Sequence, residues 1–192
     1  MYETAFLPTP IGLFEITGSE MGVRTVKRAE KQNEIVFSNL PAEHPVSECI
    51  RQMEEYFQGT REVFELKLDW SGETDFNRSV WGELLKIPFG RTASYSDIAE
   101  RIGNPSAVRA VGLANRNNPI AIVVPCHRVI GKAGALVGYF YGLETKMVLL
   151  RHENPVRFLS RFCNNTGIWS YDLLFQNFFN AHISDTIFTT GQ

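Results

Sequence analysis

The hydrophobic pattern of this chain changes near residue 70, and this change limits the folds that it can adopt. In residues 1–75, apolar runs at 12–17 and 22–26 lie on either side of a glycine-containing turn, as in a hairpin. Positions 46, 50, 53 and 57 have helical spacing, and apolar residues alternate over 64–68 as in a strand. A turn-rich stretch follows at 69–75, and helical patterns dominate beyond it. We therefore expect a mixed α/β domain at 1–75 and a mainly helical domain at 76–154.

Composition excludes several classes of protein. Three widely spaced cysteines among 192 residues are too few for a disulfide framework and favour a reducing compartment, the cytoplasm or, in a eukaryote, the nucleus. The four histidines show no metal-ligand spacing with the cysteines, so we expect no metal. No apolar run reaches the roughly 18 residues that span a bilayer. We expect no contact with a membrane.

The helical part carries the features that suit DNA. Residues 76–154 hold 10 Lys/Arg against 5 Asp/Glu, whereas residues 1–75 hold 7 against 14. Ser94 and Asp97 match a capping box, Gly103 is a helix stop, and Ser106 is placed to cap a second helix. Two short helices joined in this way are typical of a helix-turn-helix, but also of ordinary packing.

The second helix of this pair has an unusual composition. Three small residues, Ala107, Ala110 and Gly112, surround one long cation, Arg109. Small residues let a helix backbone approach a nucleic-acid groove, and they equally permit close packing inside a protein. The pattern alone leaves both interpretations open.

A thiol and an imidazole adjoin after the apolar run at 120–124, which we expect to be buried and to display Cys126 at its end. His127 could take the thiol proton if a third group held the ring, and Glu153 is a carboxylate that could do so. The alternatives are an inert buried cysteine, a structural histidine and a solvated helix end. Residue spacing does not decide between them.

The motif around this pair resembles a known family. PCHRVIG at 125–131, preceded by NNP at 117–119 and followed by GY at 138–139 and GL at 142–143, is similar to the signature of the O6-alkylguanine-DNA alkyltransferases. The resemblance covers residues 76–153 and includes ASY at 93–95 and AVRAVG at 107–112. It implies a ribonuclease H-like α/β N-terminal domain, with a small antiparallel sheet and a helix, and a mainly helical C-terminal domain with a winged helix-turn-helix-like motif.

The resemblance also implies a reaction. Cys126 would attack the alkyl carbon on O6 of guanine in duplex DNA and keep it irreversibly, one event per molecule, without a cofactor. Glu153 would orient His127, which would withdraw the thiol proton through a water, and Tyr95 would donate a hydrogen bond to the guanine ring. The preferred group would be methyl, and O4-alkylthymine is a second candidate substrate.

Further residues receive roles by the same resemblance. Arg109 would replace the extruded base from the minor groove, and Asn118 would act as a hinge between the DNA-binding helix and the active site. Val129 would offer its carbonyl to the guanine amine. The other expected DNA-binding residues are Ala107, Ala110, Gly112, Ser94 and Arg128, and the other pocket residues are Gly138, Tyr139, Phe140 and Tyr141.

Two features depart from the family pattern. Phe140 and Tyr141 stand where some relatives have small residues, so we expect a preference for methyl over benzyl-sized adducts, unless both rings face outward or pack on the neighbouring helix. Residues 155–192 extend beyond the usual end and are rich in aromatic side chains. We expect this extension to pack on the body of a monomer or on a partner subunit, and its role stays open between a dimer contact, a lid and an accidental extension.

Three other functions fit the sequence less well than alkyl transfer. A non-catalytic lesion-binding relative would lack the acceptor cysteine, which is present here as Cys126. A helix-turn-helix regulator would need a ligand or dimerisation module, and a cysteine hydrolase shares only the Cys-His-Glu set. These three are therefore less favoured.

Overall fold

The computed structural model describes residues 1–29 and 40–159. Its strands are β1 (Glu3–Thr9), β2 (Gly12–Ser19), β3 (Gly22–Arg28), β4 (Ala93–Ser94) and β5 (Val129–Ile130). Its helices are α1 (Pro45–Phe57), α2 (Asp75–Leu85), α3 (Tyr95–Arg101), α4 (Val108–Arg116), α5 (Leu143–Glu153) and α6 (Pro155–Leu159). None of the helices in these ranges is long and apolar enough to cross a membrane.

The first part is a three-stranded antiparallel sheet, in the order β1-β2-β3, with α1 packed on it. Alternate residues of β1 and β2 point into the core, where Leu7 faces Phe14. No strand was predicted at β1, which contains Pro8. An edge strand tolerates this residue because its missing N–H is not needed by a second neighbour.

Residues 64–68 do not form the predicted strand. Their burial alternates as expected, but only one isolated bridge joins Leu68 to Val23 in β3. The segment is therefore extended without a regular ladder.

The second part is mainly helical, as the sequence predicts. Ser94 Oγ accepts from Asp97 N while the Asp97 side chain accepts from Ser94 N, so the predicted capping box begins α3. Gly103 follows α3 with a φ of 74°, a conformation that favours glycine. The predicted cap at Ser106 is wrong, because its hydroxyl donates to the Asn104 side chain and a 3₁₀ turn at Pro105–Ala107 precedes α4.

Backbone hydrogen bonds join the two parts. Val26 N donates to Pro119 O at 2.9 Å, and Ala121 N donates to Val26 O at 3.1 Å. The end of the sheet therefore pairs with the segment that leads to Cys126. All residues from 120 to 124 are buried, as predicted.

The indole of Trp81 connects α2 to α4. The ring is fully buried, and its Nε1 donates to Ala114 O at 2.8 Å. This carbonyl lies in the last turn of α4, where carbonyls lack partners within the helix.

Replacing Trp81 with Phe should lower the free energy of unfolding by about 1–3 kcal/mol, because it leaves a buried carbonyl without a donor and a smaller ring in the core. Urea denaturation measures this change. Trp70→Phe is the matched control, since the Trp70 indole N–H has no acceptor in the described part of the chain. Equal losses in the two variants would contradict the role given to the Trp81 hydrogen bond.

Candidate active site

Cys126 begins a 3₁₀ turn, Cys126–Arg128, at the floor of a cavity of about 890 Å³. Only 5% of the residue is exposed. Burial raises the pKa of the Cys126 thiol, whereas hydrogen bonding from Asn118 and the charge of Lys146 act in the opposite direction. The thiol is therefore protonated at rest and needs a base to become a nucleophile.

Asn118 fixes the approach to this turn. Its Nδ2 donates to Val124 O at 2.8 Å, and its Oδ1 accepts from Ile120 N at 3.0 Å. Between these contacts Ile122 has a φ of 72°, a strained value for a β-branched residue. Asn118 thus holds a tight turn between α4 and Cys126, at the position predicted for a hinge.

His127 and Glu153 are in direct contact. His127 Nε2 lies 2.7 Å from Glu153 Oε1, and neither side chain is exposed. Burial lowers the pKa of His127, against the attraction of Glu153. A charged carboxylate can only accept, so Nε2 carries the ring proton and Nδ1 is bare. Within residues 1–29 and 40–159, Nδ1 has no hydrogen-bond partner.

The Glu153 carboxylate is surrounded by donors. Arg128 Nε lies 2.9 Å from Oε2 and its Nη2 lies 3.0 Å from Oε1, Gly90 N donates to Oε2 at 3.1 Å, and Tyr56 Oη donates to Oε1 at 2.9 Å. Burial alone would raise the pKa of Glu153, but His127 and Arg128 lower it to about 2. The group therefore stays ionised throughout the neutral range.

Arg128 is not available to DNA, which corrects its expected place among the DNA-binding residues. It is 5% exposed, and its Nη1 donates to Ile87 O at 2.7 Å while the rest of the guanidinium holds Glu153. Each of the three guanidinium nitrogens donates to an acceptor inside the protein, so the side chain is fixed in the interior.

Lys146 holds the main chain of Val137 and Gly138, which line the cavity. Its Nζ donates to Val129 O, Val137 O and Gly138 O at 2.6, 2.7 and 3.1 Å. Burial lowers the pKa of Lys146 to about 8. One of these carbonyls, on Val129, is the group expected to receive the guanine amine, but Val129 is fully buried and is not among the residues that line the cavity.

Residues 138–142 form a loop with three rings, called the aromatic loop, and these rings differ in exposure and in contacts. Phe140 is 67% exposed, whereas Tyr141 is half-buried with its ring edge-on to Phe14 in the sheet. Tyr141 Oη accepts from Arg28 N at 3.2 Å, and Tyr139 packs on Tyr141 with ring centroids 5.7 Å apart. All three rings line the cavity, but only Phe140 is mostly exposed, so Tyr141 does not fit the alternative in which both Phe140 and Tyr141 face outward.

Tyr95 and α4 form the remaining wall of the cavity. Tyr95 Oη donates to Gly138 O at 3.4 Å, and burial raises the pKa of this phenol. Gly112 faces the Tyr95 ring, and a Cβ built there would lie 3.9 Å from it. Ser94, which was expected to contact DNA, uses its hydroxyl as the α3 cap.

The outer face of α4 is open. Arg109, Ala110, Leu113 and Arg116 are exposed, whereas Ala107 and Gly112 are half-buried. Arg109 lies outside the cavity wall, and Arg116 is part of it. The predicted DNA-binding residues are therefore not alike: Arg109 and Ala110 are exposed on α4, Arg128 is buried, and the half-buried ones are Ser94, Ala107 and Gly112.

Three residues of the site were missed by the sequence analysis. They are Tyr56, Asn115 and Lys146. Asn115 is buried in the cavity wall, and its Nδ2 donates to Cys126 O at 3.3 Å. Lys146 had a detectable signal, because it shares a helical face with Leu149, Leu150 and Glu153 at positions i, i+3, i+4 and i+7. For Tyr56 there was none, since aromatic residues at helical spacing usually form core.

Two family models match the chain. Residues 1–70 match the ribonuclease-like domain of 6-O-methylguanine DNA methyltransferase, and residues 75–155 match its DNA binding domain. A methylated-DNA–protein-cysteine methyltransferase from Methanosarcina acetivorans is 47% identical over 151 residues, covering 78% of this chain and 96% of the relative. One from Mycobacterium leprae is 52% identical over 114 residues, covering 59% of this chain and 68% of the relative.

Solved structures agree with these matches. The O6-methylguanine methyltransferase of Mycobacterium tuberculosis superposes with a TM-score of 0.70 at 41% identity, covering 81% of this chain and 94% of that one. A complex of the Mycobacterium tuberculosis protein with DNA superposes with a TM-score of 0.69 at 42% identity, covering 80% of this chain and 92% of that one. With its cysteine-centred cavity and its match to both domains, the chain belongs to the methylated-DNA–protein-cysteine methyltransferase family.

Proposed function

We propose that this protein repairs duplex DNA by moving the alkyl group of O6-alkylguanine, mainly methyl, to Cys126. The observation that carries the proposal is the buried thiol at the cavity floor, followed directly by an imidazole held by a buried carboxylate. Membership of a family named for methylated DNA and protein cysteine supports the same reaction.

The chemistry follows from the arrangement of the charges. The thiol proton passes to Nδ1 of His127 through a water, and Glu153 stabilises the resulting imidazolium. Cys126 Sγ then attacks the alkyl carbon, a C–S bond forms, the C–O6 bond breaks, and its electron pair goes to the guanine. A thioether has no leaving group that water can displace under these conditions, so each molecule acts once.

The base must leave the duplex to reach Cys126, because O6 is hidden in the stack. The cavity accepts it between Tyr95, Asn115 and the aromatic loop. The exposed face of α4 is suited to the minor groove, where small residues permit close approach and Arg109 can fill the gap.

As part of the proposal, the protein acts as a monomer, and a dimer contact through the extension is not required. Most of that extension, residues 160–192, lies outside the described residues.

The first experiment measures intact mass after incubation with duplex DNA that contains O6-methylguanine. One methyl group per molecule, located on Cys126 by peptide mapping and absent from Cys126→Ala, is the expected result. Cys49→Ala is the matched control, because burial in α1 raises the pKa of Cys49 and keeps it unreactive. Tight lesion binding without a mass change would contradict alkyl transfer.

Replacing Arg109 with Ala should slow transfer from duplex DNA roughly tenfold or more, because the cost of base extrusion, a few kcal/mol, is no longer offset. Transfer from free O6-methylguanine should not change. Single-turnover rates on the two substrates measure this, with Arg101→Ala as a control at another exposed cation. An equal loss on both substrates would show that Arg109 does not act through extrusion.

The aromatic loop should limit adduct size through Tyr141 more than through Phe140. Contacts with Phe14 and Arg28 hold the Tyr141 ring in the cavity wall, so removing this ring should enlarge the cavity. Tyr141→Ala should therefore raise the ratio of the benzyl-transfer rate to the methyl-transfer rate roughly tenfold. Phe140→Ala is the control and should change the ratio less, since this ring is mostly exposed. If free benzylguanine labels wild-type Cys126 as fast as methylated DNA does, the size limit is wrong.

A further inference from the structure

We propose that Tyr56, in α1 of the first part of the chain, is a positioning residue for alkyl transfer. Its hydroxyl fixes the Glu153 oxygen that holds His127, so the α/β part completes the active site as well as supporting it. This inference rests on the proposed function, and it concerns a residue 97 positions away from Glu153.

The contact is direct and buried. Tyr56 Oη donates to Glu153 Oε1 at 2.9 Å, and the same oxygen lies 2.7 Å from His127 Nε2. Tyr56 has no exposed surface, and the Glu153 side chain has none. The phenol therefore acts on the imidazole through one shared acceptor atom, with no solvent to substitute for it.

The phenol itself has little freedom to move. Its ring lies edge-on to Phe57, Phe89 and His152, with centroids 5.2, 6.1 and 5.0 Å away. The Tyr56 carbonyl lies 2.7 Å from His152 Nε2, so the end of α1 is joined to the end of α5 through both main chain and side chain. Burial and the negative charge of Glu153 raise the pKa of Tyr56, so the hydroxyl remains a donor.

The other donors do not replace this contact. Gly90 N reaches only Oε2, and Arg128 spans both oxygens from one side of the carboxylate. Without the Tyr56 hydroxyl, Oε1 would keep His127 and Arg128 as partners and lose the donor that comes from α1. The carboxylate could then shift toward Arg128, and the His127 ring would follow it.

A hydrogen bond to the ionised carboxylate also favours the charged form, so its loss should raise the pKa of Glu153. The charged or titratable side chains around Glu153 are His127 and Arg128 from the Cys126 turn, His152 from α5, Tyr139 from the aromatic loop and Tyr56 from α1. Lys146 acts on the same network through His127. A change at Tyr56 leaves all the others in place.

The test compares Tyr56→Phe with Tyr2→Phe. Both substitutions remove a phenol that donates to a carboxylate at 2.9 Å, but the partner of Tyr2 is Asp69 in the first part of the chain. The measurements are the first-order rate of methyl transfer at saturating DNA across pH, the DNA dissociation constant, and the ¹³C shift of the Glu153 carboxyl during titration.

Tyr56→Phe should lower the rate roughly tenfold, the lower end of the loss found when hydrogen-bond partners of metal-ligating side chains are removed, without changing DNA affinity. The acid limb of the rate–pH profile of this variant and the titration of its Glu153 carboxyl should both move to higher pH, because the carboxylate is more easily protonated. Tyr2→Phe should match wild type. A rate and pH profile equal to wild type in Tyr56→Phe, even with a lower melting temperature, would overturn the proposal.

A second variant removes any dependence on stability. Difluorotyrosine incorporated at position 56 keeps the ring and makes the hydroxyl a stronger donor, so the acid limb should move to lower pH. An unmoved limb would overturn the proposal. The Glu153 titration does not require alkyl transfer, so a failure of wild type to methylate Cys126 would reject the proposed function and still leave the Tyr56–Glu153 coupling measurable.

Discussion

Burying the Glu153 carboxylate costs free energy that only hydrogen-bond donors and opposite charge can offset. Four residues supply them. Arg128 and His127 lie on the Cys126 turn, Tyr56 lies on α1, and Gly90 lies in the loop after α2. Because the carboxylate needs all of these elements in place, one buried charge fixes the position of the turn that carries the thiol. A carboxylate held in this way also determines which nitrogen of His127 is free.

The α/β part contributes to the site at three points. The end of β3 pairs with the main chain before Cys126, the Arg28 N–H donates to Tyr141, and the Tyr56 hydroxyl reaches Glu153. These contacts reach the approach to the thiol, the aromatic loop and the carboxylate beside His127. The helical part, in contrast, presents the exposed face of α4. In the proposed reaction, both parts together would hold the flipped base, and the exposed face of α4 would contact the DNA.

Local chemistry predicted the elements that depend on neighbouring residues, such as the Ser94–Asp97 capping box and the stop at Gly103. The contact of His127 with Glu153 came from family resemblance, because spacing could not bring them together. Arg128 was assigned to DNA because sequence does not tell which side of a turn a guanidinium faces. Tyr56 was missed because its partner lies on another helix, and the hydroxyl of a core tyrosine carries no pattern.

Burial keeps His127 neutral in the resting protein, and the buried Glu153 carboxylate holds the ring proton on Nε2, so Nδ1 is free to receive the thiol proton. The ¹⁵N shifts of the His127 ring in the resting protein at neutral pH test this protonation state most directly. We expect a protonated Nε2 and an unprotonated Nδ1. A proton on Nδ1, or an imidazolium with both nitrogens protonated, would contradict it, because His127 would then have no lone pair to offer the thiol.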